Sequence, residues 1–157
     1  MTSSLIGIVR AAAHQAPLEA LERVAVTVDA GIDGDCRGSK PGHQISILFR
    51  EAWADACREA GAELPWTTRR ANLLVEGMDW PRSAGGRFAI GDVVLEVTQE
   101  TRPCALMEAA FRGLRAAMRP EWRGGVLCKV IQGGEIKLGD AVTLQPAPAE
   151  AYSAALG

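Results

Sequence analysis

The chain has 157 residues, of which 48% are apolar and 23% are charged, a composition typical of a globular protein with one domain. Its formal charge of −2 argues against a protein that binds nucleic acid or anionic membranes. No apolar run approaches the ~18 residues of a membrane-spanning helix, and the segment MTSSLIGIVR lacks the basic region of a signal peptide. We therefore expect a cytoplasmic protein with reduced cysteines.

Short apolar runs separated by glycine-containing turns follow one another along the chain. Many short strands with glycine turns favour a β-sandwich or a β-barrel. Runs rich in β-branched residues, or alternating between apolar and polar residues, predict strands at Leu5–Val9, Val24–Val28, Ile45–Leu48, Asn72–Glu76, Val93–Thr98, Gly125–Gln132 and Ala141–Leu144. The Pro- and Ala-rich tail over 146–157 is predicted either to fray or to dock.

Two helices interrupt the predicted strands. Apolar residues at helical spacing, among them Trp53 and Cys57, predict a helix over Phe49–Ala60. A second helix is predicted over Ala105–Met118, with an apolar stripe formed by Leu106, Ala110, Leu114 and Ala117. Arginines lie opposite that stripe, and we interpret them as a solvated face rather than a phosphate site: Arg112, Arg115 and Arg119.

One internal repeat is visible, because Gly85–Val94 aligns without gaps on Gly133–Val142. Each copy predicts a Gly-Gly turn, a short strand, a Gly-Asp turn and another strand. We interpret these glycines as architectural, since glycine adopts positive φ at tight turns without a steric penalty. The alternative is that they contact a ligand directly.

Cys104 is the cysteine most suited to chemistry. The four cysteines show no CxxC spacing and the chain has two histidines, which argues against a structural zinc site. Cys104 follows a predicted strand and begins the second predicted helix, with Pro103 in an early helical position. The helix N-terminus and neighbouring Arg102 favour a thiolate, the form that attacks sulfur or binds a soft metal. The alternative for Cys104 is an inert, half-buried thiol. Cys57 is expected to be a small core residue, and Cys128 a packing residue within a strand.

Two polar segments could hold an anion. The glycine-rich loop 31–44 can present backbone N–H groups together with the charges of Arg37 and Lys40. The segment 67–72 carries Arg69 and Arg70 into a predicted strand. An ordinary turn and a solvated strand end are the alternatives for these two segments.

Taken in chain order, these segments resemble the MOSC domain, the molybdenum cofactor sulfurase C-terminal domain. The resemblance runs over about three quarters of the chain, through the segments Gly31–Asp35, His43–Leu48, Arg70–Leu73, Gly86–Asp92, Arg102–Cys104, Gly124–Val126 and Gly133–Asp140. The sequence resembles the short bacterial form, with residues 1–157 as one domain and a motif-bearing core over about 24–145. No pyridoxal-phosphate site is expected.

The resemblance implies a mainly β fold with a few helices: a closed or partly open β-barrel of the MOSC type, with two main helices packed on it. It implies a pterin-based molybdenum cofactor, and a cysteine, matched by Cys104, that carries sulfur or ligates molybdenum. Residues expected to bind the cofactor and its phosphate are Arg37, Lys40, His43, Arg69, Arg70, Asn72 and Arg102. His43 stands where the family commonly has arginine. Cys36 is a second loop thiol that could resolve a persulfide on Cys104.

Three functions follow from this resemblance. The first is a molybdenum-cofactor-binding protein that transfers sulfur or ligates molybdenum through Cys104, supplied by a sulfur-donor protein. The second is a molybdenum-dependent reductase of N-hydroxylated compounds that works with an electron-transfer protein. The third is a non-catalytic carrier or interaction module. Two cationic clusters, Arg37 with Lys40 and Arg69 with Arg70, are predicted to converge near Cys104 at the mouth of the barrel.

Overall fold

The computed structural model describes residues 3–147, so most of the predicted C-terminal tail lies outside the described residues. The strands in the described range are β1 (Ser3–Arg10), β2 (Glu19–Ala20), β3 (Arg23–Thr27), β4 (Gly31–Ile32), β5 (Ile45–Phe49), β6 (Leu73–Glu76), β7 (Arg87–Ile90), β8 (Val93–Glu100), β9 (Val126–Gln132), β10 (Gly134–Lys137) and β11 (Ala141–Gln145). The helices are α1 (Arg50–Ala60), α2 (Ala105–Ala110) and α3 (Leu114–Met118), with 3₁₀ turns at Trp66–Arg69 and Pro120–Trp122.

The large sheet closes into a barrel. Its strands follow the order β11-β7-β8-β9-β5-β6-β1, and β1 pairs with β11 to complete the ring, while β2 extends the sheet beside β1. Within the described range, β5 and β6 pair in parallel and the other barrel strands pair in antiparallel fashion. A small sheet in the order β10-β3-β4 lies beside the barrel. The predicted mainly β barrel is confirmed.

The core has two parts because β5 is buried on both faces. Ile45, Ile47 and Phe49 point into the barrel interior, where the rings of Phe49 and Phe88 lie 5.9 Å apart. Leu48 points to the other face and packs with the helices. Buried and partly exposed residues alternate along most of β8, because successive side chains of a strand face opposite sides of the sheet.

The first predicted helix is confirmed as α1. Its buried face contains Ala52, Trp53, Ala56 and Cys57, at the spacing that the sequence indicated. None of the helices within residues 3–147 has the length and apolar character needed to cross a membrane.

The second predicted helix, Ala105–Met118, is wrong as a single element. Phe111 leaves α2 with extended dihedral angles, and Gly113 enters α3 with φ of 92°, so the chain turns between two short helices. The turn changes which side chains are buried: Met107 and Met118 enter the helical core, whereas Leu106 is 45% exposed.

The two copies of the repeat lie in different parts of the fold. The first copy contributes β7 and β8 to the barrel, whereas the second contributes β10 to the small sheet and β11 to the barrel. Gly91 and Gly139, which occupy equivalent positions, both have positive φ, 57° and 91°. Their conformations are those expected of glycines at tight turns.

Candidate active-site cavity

A cavity of about 260 Å³ lies where three segments of the chain meet. The loop after β1 forms one wall, the loop after β4 forms a second, and the segment from Thr101 to Met107 forms a third. Arg69, Arg70 and Asn72 line it from the approach to β6. The cavity therefore collects residues from both predicted anion-binding segments together with Cys104.

Cys104 is exposed and lies immediately before the first turn of α2. Pro103 is buried and precedes this position, so its predicted place inside the helix is wrong. Because α2 has six residues, its macrodipole is a weak source of positive potential. The stronger source is the group of arginines that line the same cavity.

Arg69 is a buried cation that holds the loop carrying Cys104. Its Nη2 donates to the Thr101 carbonyl at 2.9 Å and to the Arg102 carbonyl at 3.4 Å, and its Nε donates to the Gly124 carbonyl at 3.1 Å. Burial lowers the pKa of Arg69 to about 10; the Cys104 charge opposes this shift and Arg37 adds to it. Arg69 therefore stays protonated at neutral pH.

A network of buried polar side chains holds the Arg37 side chain in place. Its Nη1 donates to Ser46 Oγ and, at 3.2 Å, to Asn72 Oδ1. Asn72 Oδ1 also accepts from the Ser46 N–H at 3.0 Å, and Asn72 Nδ2 donates to the Val9 carbonyl at 3.2 Å. Asn72 lines the cavity, but both ends of its amide already bind protein atoms, so it acts here as the anchor of Arg37.

Arg70 ties a third loop to the site. It ends the 3₁₀ turn with φ of 61°, and its Nη2 donates to the Ala16 carbonyl. This contact holds the loop after β1 against the cavity, where His14 and Leu18 join the lining. Our sequence analysis missed these two residues because the loop has neither a periodic pattern nor a motif.

The MOSC domain model matches residues 34–143, which include Arg37, the Arg69–Asn72 segment and Cys104. The chain belongs to the MOSC domain family.

Solved structures agree with this assignment at the level of the fold. The MOSC domain described here is similar to the YuaD protein from Bacillus subtilis, with a TM-score of 0.75 and 19% identity over 92% of this chain and 96% of that one. It is also similar to YiiM from Escherichia coli, with a TM-score of 0.70 and 18% identity over 92% of this chain and 71% of that one. No curated protein matches the sequence.

The remaining predicted site residues of this MOSC domain divide into two groups. Arg102 lines the rim, where its side chain is 89% exposed and its Nε lies 4.0 Å from a Glu100 carboxylate oxygen. Lys40 and His43 lie in the turn before β5 and are absent from the described residues that line the cavity. The predicted convergence therefore applies to Arg37 with Arg69 and Arg70. Lys40 does not line the cavity, although its N–H donates to the Arg37 carbonyl at 3.1 Å.

The four thiols also fall into two groups. Cys36 and Cys104 are exposed and line the cavity. Cys57 and Cys128 are buried in the helical core and the barrel interior, and burial raises the pKa of both thiols. Within residues 3–147, no group of three or more His, Cys, Asp or Glu side chains is arranged to hold a metal ion.

The arginines in the segment predicted as the second helix differ in their exposure. Arg119 is exposed, as expected for a solvated face. Arg115 is half-buried, and its Nε is buried with no hydrogen-bond partner in the described part of the chain. The predicted solvation of Arg115 is wrong because the turn at Gly113 rotates α3 relative to α2.

Proposed function

We propose that this MOSC domain binds a pterin-based molybdenum cofactor in the cavity, with the Cys104 thiolate ligating molybdenum or carrying sulfur. The observation that supports the proposal is that the exposed Cys104 thiol shares a single cavity with three arginines, Arg37, Arg69 and Arg70. A thiolate is a soft ligand, and guanidinium groups bind phosphate through charge-assisted hydrogen bonds.

The positive charge of the residues that line the cavity matches the negative charge of such a cofactor. The hydrogen-bond partners of Arg69 in the described range are carbonyl oxygens rather than carboxylates, so its positive charge is available to a dianionic phosphate. The Thr101 hydroxyl is buried at the cavity and has no partner within residues 3–147. Buried polar groups are nearly always hydrogen-bonded, so this hydroxyl is available to a ligand atom.

Different residues would contact different parts of the cofactor. Arg37 and Arg70, each anchored by protein contacts, would hold the phosphate. Arg69 would keep Cys104 in place through its hydrogen bonds to the carbonyls of Thr101 and Arg102. Leu106 and Met107 would offer apolar surface to the pterin. When bound, the cofactor would supply the redox and sulfur chemistry of its molybdenum centre.

The first test is the molybdenum content of protein purified from a host that makes the cofactor. We expect bound molybdenum and pterin, measured by elemental analysis and by fluorescence of the oxidised pterin. Arg37→Gln should weaken binding by about 1.5–3 kcal/mol, because a hydrogen bond to a charged group is lost. Arg119→Gln is the matched control, since Arg119 is exposed and absent from the cavity lining, and it should bind like the wild type.

The same preparation distinguishes the functions. Turnover of an N-hydroxylated base with an electron donor would identify a reductase. Bound cofactor without turnover supports sulfur transfer or carriage. Protein that never acquires molybdenum or pterin would contradict the proposal and leave an interaction module.

A further inference from the structure

Cys36 and Cys104 line the same cavity although they belong to distant segments. Cys36 lies in the loop after β4, and Cys104 precedes α2. Both are exposed, whereas Cys57 and Cys128 are buried in the core. The fold therefore brings the two accessible thiols of the described chain to one place.

Hydrogen bonds fix the backbone that carries Cys36. The Cys36 N–H donates to the Ala11 carbonyl at 2.8 Å. The Asp35 carboxylate accepts from the Ala11 N–H at 2.9 Å and from the Arg37 N–H at 3.1 Å. The loop is thus held against the end of β1 on both sides of the cysteine.

The backbone around Cys104 is fixed in a similar way. The Cys104 carbonyl accepts from the Met107 N–H at 3.0 Å, and the Thr101 N–H donates to the Gly125 carbonyl at 2.9 Å. Arg69 holds the carbonyls of Thr101 and Arg102. Two ordered loops therefore present their thiols to a cavity that is also lined by guanidinium groups.

We propose that Cys36 is the resolving thiol for sulfur carried on Cys104. In this step the Cys36 thiolate attacks the Cys104 sulfur of a persulfide, the persulfide S–S bond breaks, and a Cys36–Cys104 disulfide forms. The outer sulfur leaves as hydrosulfide and takes the proton released by Cys36. The Cys36 sulfur is oxidised from the thiol to the disulfide level, the outer sulfur is reduced to sulfide, and the Cys104 sulfur keeps its oxidation level, so no further oxidant is consumed. The inference rests on the proposed sulfur-carrying role of Cys104.

The experiment loads reduced protein with sodium polysulfide as the sulfane-sulfur donor, then removes the excess. For the wild type, we expect release of sulfide, a mass 2 Da below that of the reduced protein, and a linked peptide containing Cys36 and Cys104. In Cys36→Ser the persulfide should stay on Cys104 as a gain of one sulfur atom, and sulfide release should slow at least tenfold. A disulfide requires the two Cα atoms to approach within about 7 Å, so the linked peptide also reports their proximity.

The matched control moves the thiol within the same loop. Ser39 is exposed and does not line the cavity, so Cys36→Ser combined with Ser39→Cys keeps the number of thiols but should not restore fast release. A stable Cys104 persulfide in the wild type, or restoration by Ser39→Cys, would overturn the resolving role of Cys36. Failure of Cys104 to accept sulfur in Cys36→Ser would instead overturn the carrier role, and molybdenum content tests cofactor binding separately.

Discussion

The interior of the barrel and the cavity beside it each contain cysteine, yet they give it opposite properties. Cys128 lies in β9 among apolar side chains, where burial raises the pKa of its thiol. Cys104 lies at an exposed position that shares its cavity with arginines. The comparison teaches that desolvation and nearby charge, rather than the residue type, decide whether a thiol packs or reacts.

Alkylation rates give the largest expected difference between the two regions. With iodoacetamide at neutral pH, we expect Cys104 to react first, with Cys36 also accessible and Cys57 and Cys128 slower by on the order of 100-fold, because only thiolates in contact with solvent react. Peptide mapping by mass spectrometry measures this, and all four should react alike in unfolded protein. Labelling of Cys57 or Cys128 before Cys104 would contradict the comparison.

The same substitution made in both regions sharpens the comparison. Cys128→Ser places a hydroxyl in the apolar barrel interior and should lower the free energy of unfolding by about 1–3 kcal/mol. Cys104→Ser is made at an exposed position and should change it by less than about 0.5 kcal/mol. Urea unfolding curves give both values. Equal losses would mean that Cys104 is part of the packed structure.

The turns of the repeat provide a third test, because they lie outside the cavity. Gly91→Val and Gly139→Val should each cost about 1–2 kcal/mol, since a β-branched residue is strained at positive φ. Gly91→Val should cost more: a Cβ there would lie 3.3 Å from the Asp140 carboxylate, whereas nothing lies within 4 Å at Gly139. Thermal melts measure the loss, and Cys104 labelling should not change. Unchanged melts with lost cofactor binding would make these glycines part of the site.

The pH dependence of stability tests the burial of Cys128 directly. Burial raises the pKa of Cys128 in the folded state, so the unfolded chain loses this proton first as the pH rises. The contribution of this thiol to the free energy of unfolding is fully present below the pKa of a cysteine in the unfolded chain, about 8.5–9. Above that pH it falls by at most about 1.4 kcal/mol per pH unit. Urea unfolding at pH 8 and pH 10 should show a smaller fall for Cys128→Ala than for the wild type. Equal falls would mean that the Cys128 thiol ionises freely in the folded protein.

Much of the barrel could be predicted because its strands have local signals. The alternation in Val93–Thr98 and the β-branched run in Val24–Val28 lie within or close to β8 and β3. The two-residue strands β2 and β4 had no such signal, since they form only by pairing with β1 and β3. Likewise, the turn at Gly113 overrides a helical pattern that continues through it.

The site was less predictable because its contacts join distant segments. The positions of Arg37 and Cys104 on one cavity followed from the order of motifs in a known family, not from their spacing. The Arg70–Ala16 contact that brings His14 to the cavity crosses 54 positions of sequence, and no pattern in the sequence reports it. Lys40 is only three positions from Arg37, yet a turn separates it from the cavity.

The seam between β1 and β11 has a consequence for the order of folding. Ser3 pairs with Val142 and Ser4 with Ala141, and Leu5 exchanges backbone hydrogen bonds with Gly139 and Asp140 at 2.8 and 3.0 Å. Almost the whole described chain lies between these partners, so bringing them together has a large entropic cost until the intervening strands have paired. During synthesis, β1 leaves the ribosome long before its partner exists. We therefore expect the ring to close last, which leaves the β1 edge that pairs with β11 open to other strands until then.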